Sequence, residues 1–354
     1  MKFDATLSVD TQHLRKIPEI ACAAEALGFD ALWTPETQHN AFLPLALAAE
    51  HTERLTLGTA VAIAFARSPM VIAQAAWDMQ ALAQGRFVLG LGTQVKAHIE
   101  RRYGMEWGQP VMRLREYVAA LRAIWASWQT GAKLDFEGQF YRHTLMTPFF
   151  NPGPIADPAI PIYIAGVNEG LARLAGEACD GFHAHPFHTV KYLNTVVRPQ
   201  VAAGAEAAGR ALADVALVSA VFVVSGPNEA AMQAVKAQVR EQLAFYASTP
   251  SYRVVLAAHG WNDVGEQLSR LAAAKRWANM GALISDDMID AFAVVAPFDQ
   301  LGAALRARYN GVLDRISAYM PFVPSELDDA WRAVIASVQD VAGGPQTRPN
   351  VEQR

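Results

Sequence analysis

Short apolar runs begin near residues 3, 31, 55 and 87, and a stretch with helical spacing follows each of them. Few architectures accommodate that rhythm. A strand followed by a helix, repeated, builds a parallel sheet with helices packed against it. Residues 3–9 read as the first strand. Asp10 and Thr11 offer polar groups to open a helix over about 14–27, with Ile17, Ile20, Ala21, Ala24 and Leu27 on one face. Gly28 closes it. A strand over 31–34, a helix over about 43–51 and a third strand over 55–61 come next. Ser68-Pro69 starts another helix, because serine caps free amides and proline loses nothing at the first helical position. That helix reaches about Ala83, and Gly85-Arg86 leads into a fourth strand over 87–91. Strands three and four are apolar without clean alternation, as expected when helices cover a parallel sheet.

The second half carries the same rhythm with additions. Residues 110–127 predict a helix, and 137–150 predict a strand with its approach loops. The proline-rich stretch 151–161 reads as an ordered turn. A buried strand over 162–165, a helix over 169–178, a possible short strand over 179–182 and a strand over 217–224 follow. After Ser225-Gly226-Pro227 the pattern turns helical, over 228–247, 264–280, a short 285–293 and 298–309. Residues 315–320 supply a last strand and 326–338 a last helix. The expected fold class is α/β, one closed (β/α)8 TIM barrel with a helical insertion before strand eight. Residues 1–342 form the expected domain, and 343–354 a loose polar tail. A doubly wound open sheet is the structural alternative.

Composition narrows the function. The 354 residues are 52% hydrophobic and 18% charged, with a formal net charge of -4. A large core fits that balance, and a general field for nucleic acid or anionic membrane does not. Cys22 and Cys179 are too few for a disulfide framework. The first residues show no hydrophobic signal segment, which predicts a cytoplasmic location. The apolar run 55–65 is too short to span a bilayer.

A barrel of this type places its chemistry at the C-terminal ends of the strands. That filter selects Glu36, His39 and Asn40 after strand two, Ala62, Ile63 and Phe65 after strand three, and Thr93, Gln94 and Lys96 beyond strand four. Gly166, Val167 and Asn168 occupy a later strand-to-helix junction, where free amides suit a phosphate or simply begin a helix. Gly90 and Gly92 admit a flat ring or serve packing alone. His39 is the histidine best placed for proton chemistry, with a loop or surface role as the alternative. The run holding His183, His185 and His188 contains no Asp or Glu and matches no zinc spacing, so no metal site is expected and cofactor or substrate contact is the better reading. There is no G-x-S-x-G elbow.

Together, Glu25–Glu36, Thr52–Val61, Ser68-Pro69, Gly85-Arg86-Phe87, Leu89–Thr93, Pro161–Gly166 and Ala178–Phe182 resemble the bacterial luciferase-like superfamily in order and spacing. The segment Val312–Ile316 extends the likeness. The sequence resembles the branch using deazaflavin F420 more than the luciferases themselves. The resemblance implies a TIM-barrel homodimer acting on a small organic molecule, by hydride transfer with F420. FMN with oxygen chemistry is the second cofactor reading, and a barrel without catalysis the third. It implies a backbone bulge, often with a cis non-proline peptide, around Val61-Ala62-Ile63. Ala62, Ile63, Thr93, Gln94, Gly166, Val167 and Asn168 would border the cofactor, with Glu36 and His39 as catalytic residues. Gln94-Val95 replaces the glycine and glutamate of F420-dependent sugar-phosphate dehydrogenases, and Glu36-Thr37 their Asp-His region, which argues against that substrate class.

Overall fold

Eight parallel strands close on themselves. They are Lys2–Thr6, Ala31–Thr34, Thr56–Thr59, Phe87–Gly92, Ile162–Gly166, Gly181–Ala184, Ala216–Val224 and Arg315–Ala318, numbered here one to eight. Each pairs in parallel with the next, and strand eight pairs with strand one through Lys2 opposite Arg315 and Phe3 opposite Ile316. The computed structural model describes residues 1–7, 14–325 and 327–339. The expected Asp10-Thr11 helix start and the 343–354 tail lie outside the described residues.

Local signals explain the elements around the barrel. Helix Ile17–Leu27 ends at Gly28, whose φ of 98° is open to glycine. Ser68 accepts a hydrogen bond from the Val71 amide and caps helix Pro69–Leu82. Helices Glu169–Ala178 and Phe298–Tyr309 have the bounds their periodicity predicts. Between strands seven and eight lies the helical insertion, with Glu229–Ala247, Arg253–Ala257, Asn262–Ala273 and Asp286–Phe292. It returns through Ala293–Val295, which adds a short parallel edge to strand seven.

Two expectations are corrected. The strand expected over 137–150 is a small antiparallel hairpin, Phe136–Glu137 with Arg142–His143, outside the barrel. Its polar residues are half-exposed, and the carboxylate of Glu116 takes the amides of Gln139, Phe140 and Tyr141 in place of a neighbouring strand. Ile162–Gly166 is therefore the fifth barrel strand, not the sixth. Helical structure over Val190–Tyr192, Leu193–Val197 and Arg198–Ala207 was not foreseen. Pro199 stands in the first turn of the last of these, and a π turn at Leu193–Val197 immediately precedes it and widens the backbone there.

The barrel interior is partly polar. Arg315 meets Asp4 through two parallel hydrogen bonds of 2.9 and 2.8 Å, and the Trp33 indole N–H donates to the same carboxylate at 2.8 Å. Trp33 stands edge-on to His183 with centroids 4.9 Å apart, and Tyr163 lies 5.5 Å from that imidazole. Outside the strands, the apolar core fills the layer between sheet and helices.

Candidate functional site

Strand three breaks where the site begins. It runs to Thr59 and resumes as Ala62–Ile63, and the Ala60-Val61 peptide between them is cis. Across the break the backbone ladder to strand four is interrupted, pairing Gly58 with Val88 and then Ala62 with Leu91. The Thr59 hydroxyl bridges the gap. It donates to the Gly90 carbonyl at 2.7 Å and accepts from the Gly90 amide at 2.9 Å. Gly90 has no room for a side chain, since a Cβ there would lie 1.8 Å from the Thr59 carbonyl oxygen.

Glu36 holds the resumed segment from strand two. Its carboxylate accepts the Ile63 amide at 2.7 Å and is gripped on both oxygens by Arg67. That carboxylate beside Arg67 raises the guanidinium's proton affinity further. Ala62 and Ile63 are buried in this segment. His39 lies half-buried in the loop after strand two and makes no hydrogen bond among the described residues. Its neighbour Asn40 accepts the Phe42 amide at 2.8 Å and opens the next helix.

Beyond strand four, Thr93 is buried and its hydroxyl donates to the Gln94 carbonyl at 3.1 Å. Gln94 has a φ of 60°, the left-handed region that glycine enters freely. Its side-chain oxygen accepts the Val95 amide at 3.0 Å and supports that turn. The chain thus keeps a glycine-like backbone where the family resemblance expects glycine. Gln94→Val should cost about 1–2 kcal/mol and Gln94→Gly should cost nothing, as read by urea unfolding.

The Gly166–Asn168 turn follows strand five on the same C-terminal face. Asn168 is the N-cap of Glu169–Ala178, yet its side chain makes no capping bond. Ser68, Asn228 and Ser285 do cap their helices, while helices such as Ile17–Leu27, Phe42–Ala49 and Pro110–Thr130 also start without a side-chain cap. The first-turn amides at 168–171 are therefore left without a side-chain acceptor, a feature suited to an anion. The turn is positioned from below, because the Tyr192 hydroxyl donates to the Val167 carbonyl at 2.8 Å. Tyr192 was not singled out from the sequence, since the contact depends on the unforeseen helix.

The adjoining part of the mouth is aromatic, and the His185 amide donates to the Gly166 carbonyl at 3.2 Å. His185, just past strand six, packs against Tyr246 and Tyr252 of the insertion at 4.8 and 4.6 Å. Tyr246 shares a hydroxyl hydrogen bond with Tyr319 beyond strand eight, and Tyr319 lies 4.7 Å from Phe222 of strand seven. Burial pushes both His183 and His185 down to about 3, so both rings are neutral. His188 turns away, toward Ser219 and Tyr309. Among the described residues no three His, Cys, Asp or Glu side chains converge as a metal site. The tyrosines carry no local sequence signal, because strand ends and insertion meet only in the fold. A recess of about 430 Å³ lies elsewhere, against Phe245, Trp277 and Met280 on the outer side of the insertion.

The strand-end residues predicted to share one site thus lie on one face of the barrel: Glu36 with Ile63, Thr93 with Gln94, and Gly166 with Val167 and Asn168. Among the described residues no helix is long and apolar enough to cross a membrane.

Known proteins fit this picture. An uncharacterized protein of Mycobacterium tuberculosis is 46% identical over 340 residues, covering 96% of this chain and 97% of its own. The 5,10-methylenetetrahydromethanopterin reductase of Methanolobus tindarius is 29% identical, over 90% of this chain and 94% of its own. Among solved structures, the coenzyme F420 dependent tetrahydromethanopterin reductase of Methanopyrus kandleri has a TM-score of 0.77 at 19% identity, over 96% of this chain and 99% of that one. The model of the luciferase-like monooxygenase family matches residues 1–315. The chain belongs to that family, within the luciferase-like superfamily that also holds F420-dependent oxidoreductases.

Proposed function

We propose that this protein is an F420-dependent oxidoreductase that exchanges a hydride between the deazaflavin and a small organic substrate. The observation that carries the reading is the uncapped turn at Gly166–Asn168, on the same face as the Thr59–Ile63 floor. A phosphate-tailed carrier needs both an anion seat and a surface for its ring, and these residues fit one. The relatives named for F420 chemistry support the same reading. When bound, the deazaflavin supplies two-electron hydride chemistry at C5.

This chain's residues supply position and charge. The amides at 168–171 and the Gly166–Val167 backbone hold the tail. Ala62, Ile63, Thr93 and Gln94 border the ring. Glu36 shapes that floor through Ile63 and Arg67, with both its oxygens already engaged. His39 has a free imidazole at the rim and takes or gives the substrate's proton. Tyr192→Phe should weaken F420 binding about three- to tenfold, since it frees the Val167 carbonyl and loosens the turn. Fluorescence titration reads that change, and the melting temperature should move little.

An FMN-dependent monooxygenase is the second reading, because the family's own description is of monooxygenases. Titration with F420 and with FMN separates the two. Tight F420 binding and weak FMN binding support the proposal, and the reverse removes it. His39→Ala should then lower turnover and leave F420 affinity unchanged. We also infer a homodimer through helices Phe42–Ala49 and Pro69–Leu82, whose outward Leu43, Leu47 and Val71 are 60%, 39% and 50% exposed. Light scattering after size exclusion tests it.

A further inference from the structure

Beside the phosphate turn, where strand six runs next to strand five, the mouth has a chemical character of its own. The Phe187 amide donates to His185 Nδ1 at 3.0 Å. An atom that accepts a hydrogen bond carries no proton, so the neutral ring must hold its proton on Nε2. His185 is therefore fixed as an Nε2–H donor. It is not an acid of useful strength, because its neutral form is the stable one there. Around it stand the faces and edges of Tyr246, Tyr252, Tyr319 and Phe222. Phe222 is buried behind them, Tyr246 and Tyr252 are half-buried, and Tyr319 is 37% exposed. No guanidinium or ammonium stacks on any of the five among the described residues. The Arg253 side chain, next to Tyr252, is instead directed to Ser269.

A substrate that carries a phosphate would find no counter-charge on this wall. A flat neutral ring would find stacking partners and one oriented donor. We propose that this wall is the substrate subsite, that it takes uncharged flat cyclic compounds bearing a carbonyl or hydroxyl oxygen, and that His185 Nε2–H donates the hydrogen bond that orients that oxygen. The inference rests on the oxidoreductase reading for its place in a reaction, and divides the labour of the two histidines. His185 orients the oxygen and keeps its proton, while proton transfer with the substrate is left to His39.

The test uses the full chain without added cofactor, with coumarin as an uncharged flat carbonyl probe and glucose 6-phosphate as a charged one. Histidine ring-nitrogen NMR should show His185 Nδ1 unprotonated, and coumarin should shift its Nε2–H signal. His185→Phe should weaken coumarin binding about tenfold, and Tyr252→Leu severalfold. His185→Gln keeps a donor and should restore most of the affinity, which separates the hydrogen bond from a packing defect. Coumarin that does not bind, binds equally well to His185→Phe, or loses no more affinity on that change than glucose 6-phosphate does overturns the proposal. So does a proton found on Nδ1. F420 titration of the same proteins is read separately. Loss of F420 binding in the unaltered chain defeats the oxidoreductase reading, and the coumarin result stands or falls without it.

Discussion

Asp4→Ala is expected to lower the free energy of unfolding by about 3–5 kcal/mol, enough to threaten folding of the whole barrel. The cause is the charge left behind. Asp4 and Arg315 are only 1% and 7% exposed, and Arg315 has no other carboxylate against it among the described ion pairs. Burial pushes the Asp4 carboxyl up, and the bidentate Arg315 contact opposes that rise. Removing the carboxylate also strips the Trp33 indole of its acceptor. Trp33 in turn packs on His183, so the disturbance reaches the floor of the site. Replacing both partners, Asp4→Leu with Arg315→Met, should recover most of the loss, because two buried charges are then absent rather than one unpaired. Urea unfolding of the three proteins checks the sign and the size. A single-mutant loss below about 1 kcal/mol would mean that water reaches the pair.

Gly90→Ala is expected to cost more than the ~1–3 kcal/mol usual for an overfilled core, and to abolish cofactor binding with it. The added carbon would meet a backbone carbonyl at 1.8 Å, and a backbone atom moves only if strand three moves. Strand three is held there by the Thr59 hydroxyl, which serves both polar groups of Gly90. The two strands would part where the floor is formed. Thr59→Val tests the same wiring from the other side. It keeps the shape, leaves the Gly90 amide and carbonyl unpaired, and should cost about 2 kcal/mol or more. Calorimetric melting of both variants beside F420 titration is the check. A Gly90→Ala protein with normal melting and normal binding would show that the strands are not so closely locked.

The amino-acid sequence announces neither of those two sites, though it announces much around them. Local chemistry is legible: Ser68-Pro69 caps and starts its helix, Gly28 ends one, and the periodicity over 298–309 gives bounds that the fold keeps. The strand-end rule then selects Glu36, Ile63, Thr93 and Gly166 for one face, because parallel strands all end on the same side. What the sequence hides is contact at a distance. The Asp4–Arg315 pair joins residues 311 apart, and the Thr59–Gly90 bridge joins residues 31 apart. Neither leaves a mark in local pattern. Residues 137–150 read as a strand with its approach loops, yet they find no barrel neighbour and close on themselves as a hairpin. The helical path over 190–207 is not read from the sequence at all, and a widened turn carries it up to Pro199. Glu36 is recognisable as a strand-end carboxylate, but only the fold shows that Arg67 and Ile63 already occupy it. The aromatic wall is the extreme case, drawn from two strand ends, a loop and an insertion.

A crystal structure of the complex with F420 tests the central claim most directly. The ring should lie against the Thr59–Ile63 and Gly92 floor, with the tail phosphate within hydrogen-bond reach of the amides at 168–171. F420 seated instead in the outer recess by Phe245 and Trp277, or a phosphate far from the Gly166–Asn168 turn, would contradict the account.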